Sequence, residues 1–271
     1  MSSDAWDGIE VVDAHAHANR ALVPKLLATM AAERVSAAFL VAGGVVSPME
    51  LSHTIVTEGP GRDVDADNTE LLDAIGGEPS LAAFYFANPH RAAGEPDLAL
   101  IDRCAGIKFA PGVHGIGHLD PRVQSYVDAA AERGLPVYSH CIGNGALSVD
   151  QYARLARRNP EVAFVLGHAG RGNFDLDAAR EIRDTENVLF ETSGGFDFVI
   201  KDAVETLGAE RVVFGSEFPI QHPRVELTKL CLAVAENDLP AVLGGNIRRI
   251  TSTGKSTEKS TGTFSGKGGS A

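Results

Sequence analysis

Short apolar runs alternate with helix-like stretches about eight times along this chain of 271 residues, and this alternation most constrains its fold. The runs are nearly continuous in apolar character, as expected for parallel strands that are buried on both faces. They span residues 9–13, 37–42, 81–86, 106–109, 136–139, 163–167, 188–192 and 212–215. The pattern predicts an α/β protein with the architecture of a (β/α)8 TIM barrel.

Helix signals fall between these runs, at residues 22–33, 122–133, 149–158, 176–183, 200–207 and 225–237. Asp120 followed by Pro121 is typical of a helix start, and Gly134 follows the basic end of the same stretch. Ser148 is placed to cap the next helix. The rival fold is an open doubly wound sheet, which usually has a glycine-rich phosphate loop after its first strand. No such loop follows Val12, so the strand count favours the barrel.

The predicted organisation is one barrel domain over residues 1–250 and a tail over residues 251–271. The tail is rich in Ser, Thr, Gly and Lys, and it cannot bury enough apolar area to offset its ordering entropy. We therefore expect it to be disordered. The long loop at residues 43–67 is expected to form a lid or a pocket wall.

Composition excludes several classes of partner. The formal net charge of −12 opposes binding to nucleic acid, which requires a basic surface. The sequence has no apolar run of the roughly 20 residues that span a bilayer, and it starts without a secretion signal. The three cysteines form no CxxC pair and suggest no disulfide framework. We expect a cytoplasmic protein that acts on a small molecule.

The first predicted strand ends in Asp-Ala-His-Ala-His, with histidines at positions 15 and 17. Residues i and i+2 of a strand point to the same side, so His15 and His17 would project together into the barrel mouth. That is a suitable arrangement for chelating one divalent cation. Such a pair alone is weak evidence, because many histidines at this spacing are surface residues.

Later strands end in similar residues. His140 directly follows the fifth predicted run, His168 directly follows the sixth, and Glu217 comes two residues after the eighth. Polar side chains at the carboxyl ends of barrel strands usually carry chemistry. Four converging histidines are hard to explain structurally, because buried imidazoles need partners. The combination of four histidines with a carboxylate at the same level is therefore a strong indication of a chemical site at the barrel mouth.

The motifs resemble those of the amidohydrolase superfamily, and more narrowly its amidohydrolase-related (amidohydrolase 2) branch. The resemblance covers about residues 8–250 and is carried by GIKFAP, GLPVYSHC, VLGHAGRGNF, ETSG, VVFGSEFP and VLGGNIRRI. This branch contains small-molecule hydrolases as well as aminocarboxymuconate-semialdehyde and resorcylate-type decarboxylases. The resemblance identifies the superfamily but does not name a substrate.

The resemblance implies that His15, His17 and His140 are metal ligands and that His168 polarises substrate or transfers protons. The family usually has aspartate at the strand-eight position, as both ligand and proton shuttle. This chain has Glu217 there, whose additional methylene moves the carboxylate outward. Whether Glu217 is a ligand, a base or a sign of altered chemistry stays open.

Two basic residues have alternative interpretations. Lys108 on the fourth strand is either a contact for a substrate anion or part of a structural ion pair. Arg171, three residues after His168, either binds a substrate carboxylate or forms a salt bridge within its loop.

Three imidazoles and a carboxylate suit zinc, and manganese, nickel or iron also fit. The expected activity is hydrolysis of a C–N, ester or lactone bond by metal-activated water. The alternative is non-oxidative decarboxylation at the same site. A third interpretation is an inactive barrel that binds a metabolite or a protein. Pairing of two copies into a homodimer is also an expectation, since barrels of this kind commonly pair.

Overall fold

Eight parallel strands form one sheet in the order in which they occur along the chain, each pairing with the next. The computed structural model describes residues 6–42, 65–91 and 95–252. The strands are β1 Val12–His17, β2 Ala37–Val41, β3 Leu81–Phe86, β4 Gly106–Phe109, β5 Val137–His140, β6 Phe164–Gly167, β7 Val188–Glu191 and β8 Val212–Val213. Helices lie between successive strands. The predicted (β/α)8 TIM barrel is confirmed.

The last strand meets the first, which brings the sheet round to a nearly closed barrel. Ala14 N donates to Phe214 O (2.9 Å), and Glu217 N donates to His15 O (2.9 Å). Because β8 is only two residues long, these bonds lie beyond its end, in the segment that follows it. The closure therefore places Glu217 directly beside the β1 histidines.

The described α-helices are α1 Val23–Glu33, α2 Asn68–Ile75, α3 Leu98–Ile101, α4 Pro111–His114, α5 Pro121–Arg133, α6 Val149–Arg158, α7 Asp177–Ile182, α8 Asp197–Leu207, α9 Pro223–Ala233 and α10 Asn246–Ser252. The predicted caps are confirmed. The side chain of Asp120 accepts from Arg122 N, Gly134 ends α5 in the left-handed conformation (φ 62°), and Ser148 accepts from Gln151 N. The helices α2, α3, α4 and α10 were not predicted from the sequence.

The core has two parts. One part fills the space between the strands and the helices around them. The other lies inside the barrel, where Phe39, Phe84, Tyr138 and Val165 are among the packed residues. Ile247 and Ile250 of α10 belong to the interior part, so α10 closes the end of the barrel opposite the site.

Some sequence predictions lie wholly or partly outside the described residues. The predicted lid falls there over residues 43–64, and the predicted tail over residues 253–271. The helix α10 extends two residues past the predicted domain boundary at residue 250.

Candidate active site

A β-bulge in β1 directs the two histidines of the HxH motif into the barrel. Asp13 pairs with Ala38 of β2, but the next pair along the ladder is Ala16 with Leu40, so β1 has one extra residue here. Strict alternation from the inward-facing Val12 would turn positions 15 and 17 outward. The extra residue reverses the alternation, so that His15 stacks on the ring of Tyr138 with centroids 4.5 Å apart.

The carboxylate of Glu217 lies between three histidines. Glu217 Oε2 is 2.7 Å from His15 Nδ1 and 3.1 Å from His168 Nδ1. Glu217 Oε1 is 3.4 Å from His17 Nε2. The backbone of Glu217 has a positive φ of 62°, which is uncommon for a residue with a side chain. This shifted backbone brings the longer glutamate side chain to the histidines.

Burial and neighbouring charges place these groups in the protonation states that a cation requires. Burial first, and then Lys108, hold the pKa of His15 well below its usual value. Burial alone would raise the pKa of Glu217, but His168 and His15 outweigh it and lower that pKa well below the ordinary range. A neutral imidazole and an ionised carboxylate are the forms that bind metal.

The positions of the donor atoms, like their protonation states, fit a metal ion. Donor atoms of His15, His17 and Glu217 all lie within 4.8 Å of one another. His15 Nδ1 and Glu217 Oε2 are both buried, and neither makes a hydrogen bond of acceptable angle within the described part of the chain. Buried polar atoms normally have partners, so two atoms that face each other without one fit a shared cation. His15, His17 and Glu217 therefore fit a divalent metal ion.

A second group of donors at this level consists of His15, His168 and Glu191. The carboxylate of Glu191 is already used as an acceptor. Glu191 Oε2 accepts from Tyr138 Oη (2.7 Å) and from the backbone N of His168 (2.9 Å), and Ser193 donates to both oxygens. A carboxylate with these donors has little capacity left for a cation, so the first group is the better metal site.

Lys108 lies inside the barrel and is 2% exposed. Its Nζ is 3.1 Å from His15 Nε2 and 3.8 Å from the centroid of the Tyr138 ring. Burial lowers the pKa of Lys108 to about 7. A neutral amine can accept the Nε2 proton of His15, which leaves Nδ1 of that ring free to bind a metal. The contact of Lys108 with a substrate anion stays a prediction.

His140 is close to the site but is not in either donor group. Its Nε2 accepts from Gly112 N (3.2 Å), and its ring centroid is 5.9 Å from that of His168. Burial first, and then Lys108, lower the pKa of His140 well below its usual value, so its ring is neutral. Its role as a third metal ligand stays a prediction.

Arg171 lies in the loop after β6 and makes contacts within the segment that follows. It donates to both carboxylate oxygens of Asp175 (3.2 and 2.9 Å), and it also contacts Glu181. These two carboxylates match the loop salt bridge that was its alternative interpretation. A contact with a substrate carboxylate remains a prediction for this residue.

Ser193 and Tyr138 belong to the site but were not predicted from the sequence. Ser193 Oγ is 3.1 Å from His168 Nδ1, and Tyr138 donates to Glu191. The available signal was the ETSG motif at the end of β7, which places a serine two residues after a buried glutamate. Its importance depends on the neighbouring strand, which a single sequence does not show.

Comparison with known proteins agrees with this description. A family model described as Amidohydrolase matches residues 12–250. The fold and the site together define the class of protein, which is a barrel with histidines and a carboxylate at its mouth. The chain belongs to the amidohydrolase 2 family of enzymes, which confirms the resemblance found in the sequence. No curated protein matches the chain.

Three solved structures illustrate the similarity of fold. One is 5-carboxyvanillate decarboxylase from Novosphingobium aromaticivorans, complexed with manganese and 4-hydroxy-3-methoxy-5-nitrobenzoic acid (TM-score 0.67, 15% identity, 93% of this chain and 99% of that chain). Another is 2,6-dihydroxybenzoate decarboxylase from Rhizobium (TM-score 0.62, 15% identity, 90% and 99%). A third is an amidohydrolase from Burkholderia multivorans with bound HEPES (TM-score 0.62, 16% identity, 90% and 99%). At these identities the likeness shows the shared barrel.

Over residues 6–42, 65–91 and 95–252, no helix combines the length and the apolar character needed to cross a membrane.

Proposed function

We propose that this chain is a metal-dependent enzyme that removes carbon dioxide from a small carboxylic acid without oxidation. The observation that carries the proposal is the donor group of His15, His17 and Glu217, with His168 Nδ1 3.1 Å from the same carboxylate. The sequence motifs alone favoured hydrolysis over decarboxylation. Two neighbours of the same fold are named as decarboxylases, and they favour the reverse order.

His15, His17 and Glu217 would hold the metal ion. When bound, the cation would bind carboxylate or hydroxyl oxygens of the substrate and offset their charge. Zinc suits this set of ligands. Manganese also suits it, and one neighbour of this fold contains manganese.

The side chains around this group would carry out the proton transfer. Decarboxylation breaks the bond between the substrate carbon and its carboxylate, and the electron pair stays on that carbon. His168 would take up a proton from water and pass it to that carbon as carbon dioxide leaves. Arg171, and Lys108 in its protonated form, are the candidates for holding substrate anions.

Hydrolysis is the second candidate, and the position of Glu217 favours it. The carboxylate is held in its ionised form by His168 and His15, so it can accept a proton from a water molecule in the mouth. His168 would then stabilise the charge that develops on the substrate oxygen. The two reactions use the same residues, so an experiment must trace which atoms of the solvent enter the product.

The first experiment tests the metal site. Protein purified without chelator is compared with a His15→Ala/His17→Ala double variant by plasma mass spectrometry. We expect a transition metal at near-stoichiometric content in the wild type and its loss in the variant. A wild type that is metal-free and also fails to bind added zinc or manganese would favour the inactive binding barrel.

The second experiment separates the reactions. Turnover of a panel of small acids, amides, esters and lactones is followed in D2O and, separately, in water enriched in oxygen-18. Decarboxylation predicts one deuterium on the product carbon, released carbon dioxide and no oxygen-18 in the organic product. Hydrolysis predicts oxygen-18 in the product acid and no new C–D bond. The second result would overturn the proposed lyase activity.

A further inference from the structure

A buried carboxylate at the end of β7 organises the backbone that carries His168. Glu191 Oε2 accepts from Tyr138 Oη (2.7 Å), His168 N (2.9 Å) and Ser193 Oγ (2.9 Å), and Oε1 accepts from Ser193 N (2.6 Å). Glu191 and Ser193 are fully buried. Because four donors point at this group, it acts only as an acceptor.

Two glycines on neighbouring segments make room for this arrangement. A Cβ atom at Gly167 of β6 would overlap the hydroxyl of Tyr138, and one at Gly215 after β8 would overlap Glu191 Oε1. The contacts of Glu191 therefore require the absence of a side chain at both positions.

Glu191 also supports an uncommon backbone conformation at the site. His168 and Ala169 both have positive φ angles, of 58° and 51°, although neither is glycine. The backbone N of His168 donates to the Glu191 side chain, and the backbone N of Ala169 donates to the Glu191 carbonyl (2.9 Å). One residue of β7 thus holds the turn that projects the His168 ring.

Counting protons determines which nitrogen of His168 carries hydrogen. The hydroxyl of Ser193 has one hydrogen, and it is donated to Glu191. Ser193 Oγ can therefore only accept from His168 Nδ1, which lies 3.1 Å away. The other neighbour of Nδ1 is the carboxylate oxygen Glu217 Oε2, also at 3.1 Å, which makes a charge contact without hydrogen-bond geometry and has no proton to donate. Because neither neighbour can donate to Nδ1 and Ser193 Oγ accepts from it, this nitrogen carries the proton.

We propose that Glu191 and Ser193 are positioning residues that fix His168 in its Nδ1–H form, with Nε2 as the nitrogen that exchanges protons with substrate. Fixing the second nitrogen of a histidine sets both its tautomer and its ring orientation. The role of Nε2 in proton exchange rests on the proposed function. The tautomer rests on the contacts of Ser193 and Glu191 alone.

The test is nitrogen-15 NMR of the histidine rings in metal-free protein at neutral pH, with His168 assigned through a His168→Gln variant. We expect wild-type His168 in the Nδ1–H form, with a ring proton that exchanges slowly enough to be observed. In Ser193→Ala this signal should broaden or disappear, because the variant removes the hydroxyl that accepts from Nδ1. Ser193→Thr, which keeps the hydroxyl, should retain it.

The neighbouring Thr192 provides a matched control. Its Oγ1 is buried and has no hydrogen-bond partner within the described residues, so Thr192→Val removes a hydroxyl without removing a contact to His168. This variant should keep the wild-type signal. An Nε2–H form in the wild type, or a Ser193→Ala spectrum identical to that of the wild type, would overturn the proposal.

These results do not depend on metal binding or turnover. A protein without metal affinity but with the Nδ1–H tautomer would contradict the proposed function and leave the positioning role standing. Once a substrate is found, Ser193→Ala should lower kcat by roughly 10- to 100-fold while changing KM little, as for other partners that orient a catalytic group. Thr192→Val should keep the wild-type kcat. A change in KM alone would contradict the positioning role.

Discussion

Glu217 combines a longer side chain with an uncommon backbone conformation. The positive φ at this residue and its bond to His15 O bring the carboxylate to 2.7 Å from His15 Nδ1. An aspartate on the same backbone would fall short of this position by one methylene group. The reach of the side chain and the shape of the backbone are therefore matched.

We predict that Glu217→Asp weakens binding of Mn²⁺ by about tenfold or more, which is about 1.4 kcal/mol. Because aspartate keeps the charge, the loss of Mn²⁺ affinity would result from the shorter side chain alone. Isothermal titration calorimetry measures the affinity, and Glu217→Gln serves as the counterpart that keeps the length and removes the charge. Equal affinities of Glu217→Asp and the wild type would show that the reach of Glu217 does not determine metal binding.

Asp13 links β1 to the segment after β8. Its Oδ1 accepts from the backbone N of His15 (3.1 Å) and of Ser216 (2.9 Å), and it is 1% exposed. Burial raises the pKa of Asp13 from 3.8 to about 7. The folded state therefore favours the protonated acid, and ionising it in the folded protein costs free energy.

The raised pKa of Asp13 determines how the stability of the folded protein changes with pH. Because the folded protein binds this proton more tightly than the unfolded chain, the contribution of Asp13 to stability is full below about pH 4 and is lost as pH rises through about 7. We predict that Asp13→Asn removes this loss, which is on the order of 4 kcal/mol. Urea unfolding of metal-free protein between pH 4 and pH 8 measures it. As a control, substitution of the exposed Asp128 by asparagine (Asp128→Asn) should show the same pH dependence as the wild type. If Asp13→Asn changed the free energy of unfolding by the same amount at every pH, the prediction would be refuted.

At the scale of elements, the ends of β6, β7 and β8 depend on one another. The Glu191 carboxylate at the end of β7 fits only because Gly215 has no side chain. We predict that Gly215→Ala lowers the free energy of unfolding by roughly 2–4 kcal/mol, because overpacking displaces a carboxylate whose buried donors lose their acceptor. Chemical denaturation followed by circular dichroism measures the change.

Gly76 provides the control for this substitution. It follows α2 with a φ of −55°, and a Cβ there would meet Leu72 O at an ordinary distance of 3.5 Å. Gly76→Ala should change stability by less than about 1 kcal/mol. Similar losses for the two variants would mean that the space beside Glu191 is not critical.

At the scale of the molecule, the barrel has one end for stability and one for chemistry. Ile247 and Ile250 of α10 pack into the interior core at the closed end, and the histidines and Glu217 occupy the other. Because the metal donors come from β1 and from the segment after β8, a bound ion would join the two edges of the sheet that meet at closure.

We predict that Mn²⁺ or Zn²⁺ at a concentration 100 times the Kd raises the free energy of unfolding by about 2.7 kcal/mol. For a domain of this size that corresponds to an increase in Tm of roughly 5–10 °C. Differential scanning calorimetry measures it, and the His15→Ala/His17→Ala variant should show no increase. An equal increase in that variant would place the stabilising ion elsewhere.

Much of this protein follows from its sequence. The apolar runs predicted all eight strands, because strands buried on both faces leave a continuous apolar signature. The predicted position of β1 was too early, at residues 9–13 instead of Val12–His17, because the polar motif that ends β1 lacks that signature. The helix α2 was missed because it directly follows the long loop and has only eight residues.

The sequence determined the barrel and the residue types at its mouth, since periodicity and composition are local properties. Only the tertiary structure decided which way those residues face. The inward direction of His15 and His17 depends on one extra residue in β1, which is defined by pairing with β2. The reach of Glu217 depends on the bond between its backbone and His15, 202 positions apart in the numbering (217 minus 15). Contacts between distant segments fix these orientations, and no local pattern encodes them.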